Sequence, residues 1–337
     1  MKGIRRTSVS PPTLMPGGKG WKAAAARETI FLASKNNVKK VNSNFAEHWG
    51  DPDVRGALWA MQWRSCAYCD RELPGTDRGD VDHFRPKNIY WWLAYQFDNY
   101  LLACSACNSS YKIKRFPILP PDQAYTYANR AQIAQERRAL IDPVADQPNG
   151  WFGIDFDAAN VKRMGFQLTI NPELGATETQ RCEVTRTFFR LNIDSELLTE
   201  RQVAVHDALE LVNQAMTGDA ASLQKLRRNA VRFRPHSFAV REVIVAQAKR
   251  PDYLPSIDEE VTWLVDELIK TLHHALNALQ KIPKDHKETN QRNRCAWALA
   301  VLMKDPPGLS TEAIRKWLEE EKVLEIVEPI YNSISSP

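Results

Sequence analysis

The spacing of apolar residues indicates that the second half of the chain is helical. From about residue 176 onward, apolar positions recur every three or four residues, as on one face of an α-helix. This pattern predicts helices near residues 176–191, 195–217, 219–232, 237–249, 258–281, 288–303 and 310–326. Residues 176–337 are therefore predicted to form a helical C-terminal domain that supports the rest of the protein or docks a partner.

The first half of the chain combines helices with short strands. A helix is predicted for residues 21–35, which contain four successive alanines. A second helix is predicted to begin at Asp51-Pro52 and to end near Trp63, because an N-cap aspartate followed by proline is a frequent helix start. Short strands are predicted at Asp80–Val81 and Tyr100–Ala103, with a helix from Cys107 onward. The predicted fold class is α+β and predominantly α-helical.

Length and composition suggest how the chain is divided. With 337 residues, it exceeds one ordinary domain. Residues 1–50 are predicted to form a basic N-terminal arm and a helix, since the first twenty are rich in proline and glycine. Residues 51–175 form the predicted central domain. Within it, Asp155 and Asp157 are interpreted as a solvated strand face and not as a metal pair, because no third ligand lies nearby in sequence.

Charge is unevenly distributed along the chain. The formal net charge is +4, but residues 1–50 carry nine Lys and Arg against two Glu, whereas residues 254–337 carry ten against fourteen acids. A basic end favours binding to a polyanion such as nucleic acid. Residues 224–250 form a second basic stretch, for which a solvated helix face and a phosphate-contacting surface are both open interpretations.

Six cysteines indicate a metal site in a reducing compartment more than a disulfide framework. Four form the pairs Cys66-Ala-Tyr-Cys69 and Cys104-Ser-Ala-Cys107, separated by 34 residues, and each pair fits one edge of a tetrahedral Zn²⁺. Four thiolates leave no open coordination position, so one structural zinc ion per chain is predicted. The chain shows neither a signal peptide nor a long apolar run, which predicts a soluble, cytoplasmic protein without membrane contact.

Polar residues of catalytic type lie between and just after the cysteine pairs. The oxygens of Asp82 and Asn108 suit Mg²⁺, and a neutral histidine such as His83 can accept a proton from water. Adjacent strand residues point to opposite faces, so Asp82 and His83 can serve one phosphate only if the strand bends there. Arg85, Lys87 and Lys112 flank this stretch and are predicted to contact phosphate, with a local ion pair or a solubility role as the alternative.

These residues resemble the HNH endonuclease motif in its zinc-containing form, which has a ββα-metal fold. The resemblance implies that His83 is the general base and that Asn99 orients the loop carrying it. It also implies that Asp82 and Asn108 hold a catalytic Mg²⁺ or Mn²⁺ ion. Asn108 stands where the motif's name has a second histidine, a substitution found in many members.

A narrower similarity concerns the HNH nuclease subunit of Septu-type and retron-associated anti-phage systems. It involves Val81-Asp82-His83-Phe84-Arg85-Pro86-Lys87, Cys107-Asn108 and Phe116-Pro117, and it is looser elsewhere in the first two hundred residues. It implies an effector nuclease that cuts nucleic acid, with DNA as the expected substrate, together with an ATPase subunit encoded nearby. The alternatives are a standalone restriction-type HNH nuclease and a non-catalytic, zinc-dependent module that binds nucleic acid or protein.

Overall fold

Twelve α-helices and two small antiparallel sheets make up the computed structural model, which describes residues 1–42, 45–73 and 79–335, with the backbone alone at 163 and 164. The strands are β1 (Asp80–His83), β2 (Tyr100–Ala103), β3 (Phe152–Ile154) and β4 (Leu168–Ile170). The helices are α1 (Lys19–Ala33), α2 (Val38–Val41), α3 (Pro52–Gln62), α4 (Ala158–Met164), α5 (Ala176–Phe188), α6 (Ser195–Met216), α7 (Ala220–Asn229), α8 (Ser237–Val243), α9 (Ile257–Lys281), α10 (His286–Lys304), α11 (Thr311–Glu320) and α12 (Leu324–Ser335). The predicted α+β, mainly helical class is confirmed. Among these described residues, no helix combines the length and the apolar content that crossing a membrane requires.

The central part of the chain has the order strand, strand, helix. β1 pairs antiparallel with β2, and a seven-residue π-helix, Ala106–Lys112, follows them. The buried amide of Gln62, at the end of α3, accepts a hydrogen bond from the Leu102 N–H (2.9 Å) and donates one to the Leu102 carbonyl (3.0 Å). Buried backbone groups at a strand edge need such partners. Gln62 therefore fixes the end of α3 against β2.

Residues 1–20 differ from the predicted extended arm. Met1, Ile4 and Val9 are buried in the main hydrophobic core, which also holds side chains from both later predicted units. The Lys2 ammonium group lies 2.6 Å from the Asp70 carboxylate, and both side chains are nearly buried. The start of the arm is thus part of the core, because its apolar residues gain more from burial than from contact with water.

The helical half follows the prediction, except that one predicted helix is divided in two. The predicted helix 310–326 is divided into α11 and α12, because Lys322 has a φ of 59°, a left-handed conformation that ends a helix.

In the central part of the chain, α4 lies between β3 and β4 and was not predicted from the sequence. Asp157 caps α4 by accepting a hydrogen bond from the Asn160 N–H, and Asp155 accepts one from the Asn160 side chain. These hydrogen bonds engage the carboxylates of both Asp155 and Asp157, the possible metal pair.

The second basic stretch, residues 224–250, packs against the acidic side of α9. Its arginines form the ion pairs Arg227–Glu259, Arg228–Glu267, Arg232–Glu260, Arg234–Glu267 and Arg241–Glu260. Most of its charge is matched inside the protein. This arrangement favours an intramolecular role over phosphate binding.

Helices α3 and α10 are in close contact at Gly56. A Cβ atom at Gly56 would lie 2.3 Å from the Trp297 Cβ atom and 2.9 Å from the Arg294 carbonyl oxygen of α10. Neither atom can move without shifting the helix backbone. The absence of a side chain at Gly56 therefore sets the distance between the two helices.

We expect Gly56→Ala to lower the free energy of unfolding by about 1–2 kcal/mol, because overpacking outweighs the gain in helix propensity of about 1 kcal/mol. Urea unfolding followed by circular dichroism measures this difference. Gly50→Ala is the matched control, since nothing lies within 4 Å of a Cβ atom there. Equal stability of the two variants would contradict the close approach of α3 and α10.

Candidate active site

Two segments bring the four paired cysteines together. Cys66 and Cys69 follow α3, whereas Cys104 precedes the π-helix that contains Cys107. All four sulfur atoms lie within 4.8 Å of one another, and those of Cys69 and Cys104 are 3.7 Å apart. A tetrahedral site with Zn–S bonds of about 2.3 Å separates its sulfurs by about 3.8 Å. The four buried thiols therefore fit a single tetrahedral metal ion.

The helical half of the chain holds the first cysteine pair in place. Asp70, which has a φ of 63°, accepts hydrogen bonds from the backbone N–H groups of His236 (2.6 Å) and Phe238 (2.9 Å) at the start of α8. The neighbouring Arg71 guanidinium lies 3.1 Å from the Glu200 carboxylate of α6. Arg71 also places positive charge near the cysteine sulfurs, where thiolates need it.

Asp82 and His83 project from opposite faces of the β1–β2 pair. β1 continues through His83, which pairs with Tyr100, while Asp82 pairs with Leu101. The strand does not bend between the two residues. The bend that would let Asp82 and His83 contact the same phosphate is therefore not found. Each side chain instead has its own surroundings.

The Asp82 carboxylate is buried and has a donor on each oxygen. The Lys112 ammonium lies 2.9 Å from Oδ1, and the Tyr68 hydroxyl donates to Oδ2 (2.5 Å). Lys112 also donates to the His83 carbonyl (2.6 Å), and only 1% of its side chain is exposed. A phosphate contact requires an exposed cation, so the predicted role of Lys112 does not fit its position.

Asn108 contacts a different carboxylate. Its side-chain nitrogen donates to Asp80 Oδ2 over 3.3 Å, and Asp80 lies on the same face of β1 as Asp82. The predicted ion would need Asp82 and Asn108 together, with open oxygens on both. As arranged, Asp82 is neutralised by Lys112 and does not fit Mg²⁺ or Mn²⁺ coordination.

His83 is held as a neutral imidazole. Its Nε2 atom lies 3.0 Å from the Ala94 carbonyl oxygen, which can only accept, so Nε2 carries the proton. Nδ1 makes no hydrogen bond within the described ranges and keeps its lone pair. Burial lowers the pKa of His83 to about 4, and the nearby Lys87 adds to this shift. The Trp49 and Tyr100 rings pack nearly perpendicular to the imidazole, with centroid distances of 4.8 and 5.0 Å.

Asn99 ties the loop after β1 to the start of β2. Its side-chain oxygen accepts from the Arg85 N–H (2.7 Å), and its nitrogen donates to the carbonyls of Arg85 (2.9 Å) and Leu93 (3.2 Å). The loop includes Ala94, which binds the His83 ring. Asn99 therefore fixes the backbone that sets the orientation of His83.

Arg85 and Lys87, the other predicted phosphate contacts, differ in how they are used. Arg85 forms an ion pair of 2.9 Å with the fully buried Glu136 carboxylate. This is the local ion pair that was the alternative to a phosphate contact. Lys87 is half-buried, with its ammonium 4.3 Å from the Trp49 ring centroid. Burial lowers the pKa of Lys87. Lys87 forms no ion pair with a described carboxylate and faces the His83 side of the site.

Several residues that define the site were not predicted from the sequence. Tyr68 lies between the first two cysteines, and its position inside the Cys-x-x-Cys motif was the only available signal. Trp49 comes from the turn before α3, far from the motif in sequence. The Ala94 carbonyl has no sequence signal, because every residue offers the same backbone group.

The chain is similar to known proteins in the region of the candidate site. Residues 66–112 match the model of the HNH endonuclease family, which confirms the predicted resemblance for that segment. The Septu protein PtuB of Bacillus mycoides (strain KBAB4) is 32% identical over 137 residues, covering 36% of this chain and 44% of that protein. The Septu protein PtuB of Bacillus thuringiensis is 31% identical over 94 residues, covering 26% of this chain and 37% of that protein.

A third relative carries a different name. The Septu protein PtuA of Bacillus mycoides (strain KBAB4) is 32% identical over 103 residues, covering 27% of this chain and 14% of that protein. The chain spans less than half the length of each of these curated relatives. No solved structure matches the chain significantly.

We expect the purified protein to contain one zinc ion per chain, measured by plasma mass spectrometry. Cys69→Ala should lose the zinc and unfold the site, because metal binding of this kind contributes about 10–16 kcal/mol to folding. Cys182→Ala is the matched control, since Cys182 is also buried but lies outside the cluster. Zinc retained by Cys69→Ala, or lost equally from both variants, would contradict the four-cysteine site.

Proposed function

We propose that the chain is a zinc-stabilised HNH endonuclease that hydrolyses phosphodiester bonds of nucleic acid, with DNA as the first substrate to test. One observation carries the proposal: His83 is a neutral imidazole whose Nε2 proton is donated to the Ala94 carbonyl, leaving Nδ1 to accept a proton. The match of residues 66–112 to the HNH endonuclease family supports the same reaction.

In the proposed reaction, His83 removes a proton from water as the water oxygen attacks phosphorus and the bond to the leaving oxygen breaks. A base of this kind must be neutral before the reaction and correctly oriented. Burial supplies the first condition, and the Ala94 carbonyl, fixed through Asn99, supplies the second. Lys87 places positive charge on the same side, where the negative phosphate would approach.

The zinc ion in this proposal is structural. Four cysteine ligands close its coordination shell, so it has no position for water or substrate. Its effect is to hold the loop after α3, the β1–β2 pair and the π-helix in one arrangement. The family resemblance implies a further Mg²⁺ or Mn²⁺ ion at Asp82 and Asn108, which would have to displace Lys112 from Asp82.

The similarity to Septu proteins extends the proposal to biological role. We infer an effector nuclease of an anti-phage system that acts with an ATPase partner encoded nearby. A standalone restriction-type nuclease is the alternative that requires no such partner. A non-catalytic binding module is favoured by one observation, the complete engagement of the Asp82 carboxylate by Lys112 and Tyr68.

We expect the wild-type protein to nick plasmid DNA in the presence of Mg²⁺ or Mn²⁺, assayed alone and with its genomic neighbour and ATP. His83→Ala should reduce the rate by about two to four orders of magnitude, because it removes the base. His274→Ala, an exposed histidine of α9, is the control and should cut normally. Zinc content and melting temperature must match wild type in both variants. Absence of cleavage under every condition would leave the binding module as the better account.

We also expect Lys112→Met to bind Mn²⁺ at least about tenfold more tightly than wild type, because it leaves a buried carboxylate without its cation. Titration followed by the electron paramagnetic resonance of free Mn²⁺ measures the affinity. In the absence of metal, the variant should be less stable by about 3–5 kcal/mol, and Mn²⁺ should raise its melting temperature more than that of wild type. Lys281→Met, on the surface of α9, is the control. Unchanged Mn²⁺ affinity in a folded Lys112→Met variant would mean that the ion does not use Asp82.

A further inference from the structure

A cleft of about 860 Å³ opens between the π-helix and α5. Tyr111 and Arg115 line one wall, and Phe188 and Arg190 line the other. The cleft begins at Ser110, two residues after Asn108 in the candidate active site. The segment that lines the cleft therefore directly follows the one that carries Asn108.

Two arginines in this cleft are held on aromatic faces. The Arg115 guanidinium carbon lies 4.9 Å from the Phe188 ring centroid, and that of Arg190 lies 5.8 Å from the Tyr111 ring centroid. Each arginine therefore packs against an aromatic residue of the opposite wall. A guanidinium stacked in this way loses little further freedom when it binds an anion, and its planar donor fork matches phosphate oxygens.

Tyr111 is itself anchored. Its hydroxyl donates to the carboxylate of Asp194, which caps α6 by accepting a hydrogen bond from the Leu197 N–H (2.9 Å). Asp194 also lies 3.9 Å from the Arg71 guanidinium beside the cysteine cluster. The Tyr111 ring, and the arginine packed on it, thus have a fixed position relative to the metal site.

The cations of the cleft are not neutralised within the protein. Arg115, Arg190 and the neighbouring Lys114 are exposed, and none forms an ion pair with a carboxylate in the ranges that the structure describes. Glu183 is the one acidic residue of the described lining. The surface therefore keeps a positive excess, in contrast to Arg85 and Lys112, whose charges are matched by buried carboxylates.

Positive charge lies close to His83 as well as in the cleft. The charge of Lys114, next to Arg115 in sequence, contributes to the lowered pKa of Lys87, and the charge of Lys87 contributes to the lowered pKa of His83. The chain turns sharply at Ile113, which has a φ of 54°, and Arg115 continues into the cleft. Cations are therefore found both beside the proposed base, at Lys87, and in the cleft, at Arg115 and Arg190.

We propose that Arg115 and Arg190 bind backbone phosphates of the nucleic-acid strand that the nuclease cuts, with the cleft between the π-helix and α5 as the path of that strand. The inference rests on the proposed function and adds its substrate-binding residues. Sequence-independent contact is the expected mode, because phosphate contacts position a nucleic acid without reading its bases.

The test measures binding without cleavage, using fluorescence anisotropy of a labelled DNA duplex, the matching single strand and an RNA of the same sequence. All proteins carry His83→Ala, so that the probe stays intact. Adding Arg115→Ala and Arg190→Ala should weaken binding by about tenfold or more at physiological salt. For the duplex, the slope of log affinity against log salt concentration should become less steep by about 2, one unit for each phosphate that the variant no longer binds.

Three control variants separate phosphate binding from a structural effect. Lys281→Ala with Lys304→Ala removes the same charge from exposed positions on α9 and α10 and should leave affinity within about twofold. Arg115→Lys with Arg190→Lys keeps the charge and should retain most of the salt slope. Glu183→Gln removes the acid of the lining and should tighten binding. Melting temperature and zinc content should equal those of the His83→Ala parent throughout.

The outcomes distinguish this inference from the proposed function. If the double alanine variant binds all three probes as the parent does, with the same salt slope, the cleft assignment is wrong even where wild type cleaves DNA. If binding depends on Arg115 and Arg190 but wild type cuts nothing, the cleft stands and the nuclease proposal fails. If the parent protein binds none of the probes, the cleft assignment is wrong. Binding of an acidic peptide instead would not change that conclusion.

Discussion

Two loops separated by 34 residues in sequence meet at the four cysteines, and the geometry of the candidate site depends on that contact. Cys66 and Cys69 are delivered by α3, while Cys104 and Cys107 join β2 to the π-helix. A metal ion held by all four sulfurs would fix strand, helix and loop together in one step. The β1–β2 pair has only four residues in each strand, too few to be stable without such a restraint.

The helical half contributes to this centre through polar contacts as well as packing. The backbone of α8 binds Asp70, and the carboxylates of α6 bind Arg71, directly after the first cysteine pair in sequence. Neighbouring acids of α9 neutralise the basic stretch 224–250. A single hydrophobic core contains residues from all three predicted units, while their division into separate domains stays a prediction. These contacts therefore indicate that one role of the helices is to support the candidate site.

Burial divides the cations near the site into two groups. Arg85 and Lys112 are paired with Glu136 and Asp82 in surroundings where an unpaired charge would be costly. Others, including Arg115 and Arg190, stay exposed and have no carboxylate partner in the described part of the chain. Only the second group can attract a polyanion from solution. The first group organises the site from within, and Lys112 already supplies positive charge to Asp82.

The sequence by itself determined the parts of this protein that depend on local spacing. The cysteine pairs, the order strand, strand, helix, and most helices followed from residue type and periodicity, because ligand spacing and amphipathic patterns are local properties. Tertiary structure alone decided which partner each charged group meets. Lys112 faces Asp82, Asn108 faces Asp80, and the Ala94 carbonyl fixes the His83 tautomer. These contacts join residues from different segments, and several use backbone groups that all residues share, so no sequence pattern specifies them.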